Sequence, residues 1–343
     1  MGFVESPVAW FATFVLGAAV ILLAGARLPK LGRTIALRLG VGETSVGLFG
    51  LAIVTSLPEL AVTLSAMRLG APDLALGNVL GSNNFNLATA GLLSLACGGG
   101  LFLRADLSRY RQTGILLIIS TALAGLGVLA GPSMPGGVSL LAFSVPIVLL
   151  FVVECRMGGS DVPEPADATV RSPASRRYGS VVAAFLMLSG LVVAAGVAVS
   201  WAAKQIAVHE FTTSGGTLVL GETFVGTLLV AIATSLPEVT VAFSAMRGAD
   251  SADMALGTLL GSNSFNLLVF ALGAPILAAG PTGGVSAWSN LAAVNLVNVV
   301  AGLLLTSMIL LALRAARATA RNRVLDYLMM VVYIGAVFAV FRL

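Results

Sequence analysis

Two five-residue runs carry the first chemistry in this chain. Thr55-Ser56-Leu57-Pro58-Glu59 returns as Thr234-Ser235-Leu236-Pro237-Glu238, each time inside an apolar stretch. Proline lacks an N–H and clashes with the carbonyl four residues earlier, so the oxygens of Val54 and Ala233 are freed. Free backbone oxygen in lipid must find a partner, and a cation is one. The Thr and Ser hydroxyls add neutral oxygens, and Glu59 and Glu238 add charge. A carboxylate at membrane depth costs at least about 2.5 kcal/mol, so it marks function by default. No basic residue falls near the middle of any apolar stretch to pair with it.

A second pair of segments follows. Gly77–Asn86 reads GNVLGSNNFN and Gly257–Asn266 reads GTLLGSNSFN. Ser82 and Asn86 lie four apart on one helical face, as do Ser262 and Asn266. These pairs are the candidates for the ion-facing side, each Asn offering a carbonyl oxygen. Asn83 and Asn263 are expected to hold the helices together from behind. Gly77, Gly81, Gly257 and Gly261 are expected to permit close packing, and Asp73 and Asp253 to serve as N-caps.

Carboxylates, amide carbonyls, hydroxyls and freed backbone carbonyls form a hard-oxygen set. It suits Ca²⁺ or Na⁺ and not a soft transition metal. His209 is the only histidine and is expected to be solvated in a loop; Cys97 and Cys155 are expected to be free thiols. No nucleotide loop or redox cluster is present, so no cofactor is expected and transport must run on ion gradients. An intramembrane hydrolase built on Ser56 or Ser235 lacks a midplane base, and one active site does not explain the duplication. A passive channel is disfavoured because inverted, broken repeats belong to carriers.

The elements that position these residues are membrane helices. Hydrophobic residues make up 58% of the 343-residue chain and charged residues 10%, against about 25% charged in soluble domains. Ten apolar segments are expected, at 7–26, 44–67, 72–103, 113–131, 136–153, 179–203, 217–246, 252–279, 286–313 and 324–341. The first is expected to be a membrane helix and not a cleavable signal, because Glu5 is the only charge before it. A polar linker at 154–178 separates a first half, 1–153, from a second, 179–343. With ten spans, 16 of the 19 Lys and Arg residues fall on one side and 3 on the other. Positive-inside orientation then puts both termini outside and the linker in the cytoplasm of a cell that carries the chain in its plasma membrane.

Gly42–Arg68 and Gly221–Arg247 share 17 of 27 positions, and Asp73–Leu87 and Asp253–Leu267 share 11 of 15. The repeats therefore cover about 42–87 and 221–267. Five spans separate the copies, so the second enters the membrane from the opposite side. In secondary transporters such inverted repeats place the substrate near the midplane on interrupted helices. The expected fold class is an all-α integral membrane protein of ten transmembrane helices in two inverted five-helix repeats.

The two TSLPE runs with GNVLGSNNFN and GTLLGSNSFN resemble the sodium/calcium exchanger family of the cation/calcium exchanger superfamily, in its prokaryotic form with two inverted repeats. The resemblance implies ion ligands at Thr55, Ser56, Glu59, Ser82 and Asn86, and at Thr234, Ser235, Glu238, Ser262 and Asn266, with the carbonyls of Ala52 and Ala231. Many prokaryotic members carry Asp at the position of Asn266. Animal-type members resemble this chain in having Asn there, which argues against K⁺ co-transport. The implied activity is electrogenic exchange of about three Na⁺ for one Ca²⁺ by alternating access, with spans 1 and 6 sliding against the rest. A proton/calcium antiporter is the alternative. The partners are Ca²⁺, Na⁺ and the bilayer, with no nucleic acid and no obligate protein partner. The linker of about 25 residues holds no EF-hand spacing, so no separate cytosolic Ca²⁺ sensor is expected.

Overall fold

The computed structural model of the chain describes residues 6–38, 51–98, 101, 102, 105, 107–130, 133, 136–158, 175–213, 216–247, 252–279, 293–314 and 319–343. The protein is an all-α integral membrane protein. In chain order its elements are α1 (Pro7–Gly25), α2 (Leu28–Arg38), α3 (Leu51–Thr55), α4 (Leu57–Arg68), α5 (Pro72–Ala96), α6 (Leu107–Ala130), α7 (Gly136–Gly158) and α8 (Ser175–Val208). A short antiparallel hairpin follows, β1 (Phe211–Thr213) and β2 (Gly216–Leu218), in the register Phe211 with Leu218. Then come α9 (Glu222–Phe224), a π-helical segment Val225–Val230, α10 (Ala231–Arg247), α11 (Ala252–Ala279), α12 (Asn295–Arg314) and α13 (Thr319–Arg342).

Among the described residues, seven helices are long and apolar enough to cross a membrane, by length and composition. They answer to expected spans 1, 4, 6, 7, 8, 9 and 10. Expected spans 2, 3 and 5 are helical at Leu51–Arg68, Pro72–Ala96 and Gly136–Gly158. The start of span 2, the start of span 9 and linker residues 159–174 lie outside the described residues. Large apolar side chains such as Leu186, Met187, Val331 and Ile334 stand exposed on α8 and α13, the arrangement that lipid and not water demands.

Several boundaries differ from the hydropathy reading: among them, Gly136–Gly158 and Ser175–Val208 run into both ends of the expected 154–178 linker. The third helix ends at Ala96, not at 103, because Gly98 turns to φ 67° and breaks the ladder. The seventh apolar run begins with a strand: residues 216–218 pair back on 211–213, and helix resumes only at Glu222.

The inner layer is made of α3, α4, α5, the π segment, α10 and α11, with α5 crossing α11 at the centre. α5 buries 19 of its 25 residues, which is why its polar side chains face protein and never lipid. On one flank α1 and α8 pack together and against α4 and α10. At 34 residues α8 is about 51 Å long, longer than the bilayer's hydrocarbon core of about 30 Å, so it must tilt or project beyond that core. The crossings of this flank use missing side chains. A Cβ on Gly25 of α1 would lie 2.8 Å from Pro237 Cγ, and one on Gly196 of α8 would lie 2.7 Å from the Ala61 Cβ. Each outer helix thus rides over one TSLPE-bearing helix.

Candidate cation site

Each TSLPE copy interrupts its helix differently. In the first, the helix breaks at Ser56 and restarts with Pro58 in the first turn of α4, where a missing N–H costs nothing. In the second, α10 runs through Pro237, and the irregularity comes about two turns before that proline as the π segment Val225–Val230. The interruption expected at the proline is therefore present in the first copy; in the second the helix is continuous through Pro237 and is irregular only at Val225–Val230.

The ten side chains proposed as ligands are brought together, and all ten are fully buried: Thr55, Ser56, Glu59, Ser82, Asn86, Thr234, Ser235, Glu238, Ser262 and Asn266. The site is closed to both faces of the protein. Its hydrogen bonds come in matched pairs across the repeats. Ser56 Oγ donates to Glu238 Oε1 at 2.9 Å, and Ser235 Oγ donates to Glu59 Oε1 at 2.9 Å. Thr55 and Ser262 hydroxyls lie 3.4 Å apart, as do those of Thr234 and Ser82. Ser262 also donates to Glu238 Oε1 at 3.2 Å.

Asn83 and Asn263 behave as expected. Each donates its amide to the other's backbone carbonyl at 3.1 Å, clamping α5 to α11. Their side-chain oxygens do a second job. Asn263 Oδ1 accepts from Asn86 Nδ2 at 3.0 Å, and Asn83 Oδ1 accepts from Asn266 Nδ2 at 3.1 Å. With the nitrogens so occupied, the orientations of Asn86 and Asn266 are set, and their oxygens stay unbonded.

Four buried side-chain oxygens in this cluster accept no hydrogen bond: Glu59 Oε2, Glu238 Oε2, Asn86 Oδ1 and Asn266 Oδ1. Buried acceptors without partners are rare, and each calls for an explanation. Two carry formal negative charge, all are hard oxygens, and the pairs come from opposite repeats. That donor chemistry fits an alkali or alkaline-earth cation as substrate.

The two backbone positions are less fully placed. Ala231 starts α10 where the π segment ends, and its carbonyl lies 3.3 Å from Thr234 Oγ1. Ala52 lies in α3; the surroundings of its side chain lie outside the described residues.

Several expectations need correction. Asp73 and Asp253 are not N-caps: α5 starts at Pro72 and α11 at Ala252, so both sit inside the first turn. Asp73 Oδ1 accepts from Asn295 at 2.6 Å, and the Asp253 carbonyl accepts from Tyr110 at 2.6 Å. His209 is not simply solvated. It is half-buried, its ring 5.1 Å from Trp10 and 4.7 Å from Phe211, because the hairpin folds back over α1. Cys97 and Cys155 are free thiols, as expected.

The sequence reading missed a polar layer behind the site. Asn78 Nδ2 donates to Thr63 at 3.0 Å, Asn84 Nδ2 donates to the Asn298 carbonyl at 3.1 Å, and Asn298 Nδ2 donates to Thr227 at 2.7 Å. It also missed the π segment. The available signal was Gly77-x-x-x-Gly81 opposite Gly226. A Cβ on Gly81 would lie 2.5 Å from the Thr227 carbonyl oxygen, and one on Gly226 would lie 2.6 Å from that of Leu74.

The family model described as sodium/calcium exchanger protein matches residues 9–154 and 180–342. The chain belongs to that family. It is thus a membrane transporter of the cation/calcium exchanger type. The putative antiporter CaxA of Alkalimonas amylolytica is 28% identical over 339 residues, covering 96% of this chain and 98% of that protein. The inner membrane protein YrbG of Escherichia coli is 28% identical over 269 residues, 78% of this chain and 79% of YrbG. Among solved structures, native YfkE superposes with a TM-score of 0.68 at 17% identity, covering 98% of this chain and 92% of that one. The sodium-calcium exchanger NCX_Mj, soaked with Na⁺ and no Ca²⁺, gives 0.59 at 20% identity, over 96% of this chain and 98% of that one. At these identities the structural likeness is one of fold.

Proposed function

We propose that the chain is a secondary active antiporter that exchanges Na⁺ for Ca²⁺ by alternating access, without K⁺. The observation that carries this reading is the pair of buried carboxylates, each with one oxygen bonded by the opposite repeat's serine and one left bare. Two carboxylates neutralise one Ca²⁺. About three Na⁺ at the same oxygens leave one positive charge, so the cycle carries net charge. Asn266 in place of a third carboxylate removes the extra charge that a K⁺ co-ion calls for.

The ligands of this reading are Glu59, Glu238, Asn86, Asn266 and the hydroxyls of Thr55, Ser56, Ser82, Thr234, Ser235 and Ser262, with the Ala52 and Ala231 carbonyls. α1 and α8 slide over the two proline-bearing helices on their glycine crossings, and so expose the site to one face and then the other. Both termini lie outside, and the linker between the two five-helix halves, which shortens to 159–174 because 154–158 and 175–178 are helical, is cytoplasmic. The sodium/calcium exchanger MaX1 of Methanosarcina acetivorans is 31% identical over a third of the chain, which supports Na⁺ as the coupling ion.

The second reading is H⁺/Ca²⁺ antiport, favoured by the same bare carboxylate oxygens, which accept protons as well as metal ions. The two separate in reconstituted vesicles. Charge movement that accompanies Ca²⁺ entry at constant pH, and stops when internal Na⁺ is replaced by choline, supports Na⁺ coupling. Ca²⁺ uptake driven by a pH jump without Na⁺ overturns it.

A further inference from the structure

Away from the cation cluster, α6 and α12 pack together and close on each other at two glycines. A Cβ on Gly114 would lie 2.7 Å from Leu310 Cδ2, and one on Gly125 would lie 2.7 Å from Val299 Cγ1. These pairings make the helices antiparallel, so the start of α6 and the end of α12 share one membrane face. The two ends of the pair are chemically unlike. At the Gly125 end neither 121–130 nor 295–304 holds a charged residue. At the Gly114 end the helices enclose a groove of about 300 Å³, lined by Arg111, Ile115, Ser307, Leu310, Leu311 and Arg314.

Helical spacing builds this groove. Arg111 and Ile115 stand four apart on one face of α6, and Ser307, Leu310, Leu311 and Arg314 fall on one face of α12. Ile115 is 41% exposed and Leu311 48%, so the wall opens to lipid, and both arginines are exposed at the mouth. Ser307 gives its proton to the Leu303 carbonyl at 2.7 Å, which leaves the two guanidiniums as the groove's donors. Among the described residues no carboxylate answers either of them. An apolar trough with two cations at its mouth calls for an apolar body with an anionic head. A guanidinium fork matches phosphate geometry, and basic pockets between membrane helices take anionic headgroups. A neighbouring helix is a poor fit, because helix contacts in lipid favour small residues. A second copy docked on this face by a two-fold would set arginine against arginine.

We propose that the α6–α12 groove binds one anionic phospholipid, its phosphate held between Arg111 and Arg314 and one acyl chain laid along Ile115, Leu310 and Leu311. The site is separate from the cation cluster and stands whichever ion drives the exchanger. One basic residue at the membrane surface is worth about fivefold in affinity for an anionic lipid, and two are worth about 30-fold.

The test is native mass spectrometry of the purified chain titrated with phosphatidylglycerol or with phosphatidylcholine of the same acyl chains. The wild-type chain is expected to retain one phosphatidylglycerol and to bind it about 30-fold more tightly than phosphatidylcholine. Arg111→Gln and Arg314→Gln are each expected to cut that preference about fivefold, and the double variant to abolish it, with ⁴⁵Ca²⁺ binding unchanged. Arg68→Gln, at the opposite membrane face, is expected to leave the preference intact. Ile115→Trp, which fills the groove, is expected to weaken both lipids. No preference in the wild-type chain, or a full preference in the double variant, overturns the inference. Inorganic phosphate that displaces the lipid at equal concentration means an anion site without an acyl groove, and overturns it too. So does a dimer of the chain that Ile115→Trp dissociates.

Discussion

Replacing Glu59 by Gln keeps the side chain's shape and leaves an atom to meet the Ser235 hydroxyl, now 2.9 Å from Glu59 Oε1. What it removes is one of the two charges that face the cation. At an effective dielectric of about 20, a divalent ion about 4 Å from a unit charge interacts by about 8 kcal/mol. Part of that returns as retained water and weaker amide coordination. Removing one partner of a buried charge pair costs about 2–5 kcal/mol net. The Ca²⁺ dissociation constant is therefore expected to rise about 30-fold to several thousand-fold. Because Glu238 is held by Ser56 at the same 2.9 Å, Glu238→Gln is expected to weaken Ca²⁺ to a similar degree. The assay is equilibrium ⁴⁵Ca²⁺ binding to purified protein, with thermal melting to confirm folding. A folded variant whose affinity stays within about threefold of wild type refutes the placement of the ion between the two carboxylates.

Other outcomes follow from the same geometry. Asn83→Leu strips the bond from Asn266 Nδ2 and breaks the α5–α11 clamp; each buried group so orphaned costs about 1–3 kcal/mol, seen as a lower melting temperature in detergent, and an unchanged melt contradicts the clamp. Gly25→Ala and Gly196→Ala put a Cβ within 3 Å of the proline-bearing helices; turnover should fall at least about tenfold while Ca²⁺ binding persists, and a loss of binding instead would place the fault in folding. Asn266→Asp adds a third carboxylate at the bare amide oxygen, so the charge carried per Ca²⁺ should change; measured by current against flux, an unchanged ratio counts against Asn266 as a ligand.

Much of the site was legible before any coordinates, because its chemistry is costly in a membrane. A carboxylate after a proline in an apolar run has few structural uses, and finding the pair twice identified Glu59 and Glu238 with their Thr and Ser neighbours. Helical spacing placed Ser82 with Asn86 and Ser262 with Asn266. What spacing does not reveal is which atom of an amide faces the site: that depends on Asn83 and Asn263 crossing between helices more than 170 residues apart in sequence. The π segment was hidden for a related reason. Val225–Val230 is ordinary in composition, and its backbone packs closely on Gly77 and Gly81 of a distant helix. His209 was misread because a single polar residue in a loop gives no sign of the hairpin that folds it onto Trp10. Helix ends were blurred where capping geometry, as at Gly98, overrides hydropathy.

The central claim is that one buried oxygen site, built from both repeats, is run by Na⁺ against Ca²⁺. It is tested most directly by ⁴⁵Ca²⁺ uptake into proteoliposomes of the purified chain loaded with Na⁺ and diluted into Na⁺-free medium at equal pH. The account predicts saturable uptake that disappears when the Na⁺ gradient is collapsed and in both Glu59→Gln and Glu238→Gln. Uptake indifferent to the Na⁺ gradient, or undiminished in either variant, would contradict it.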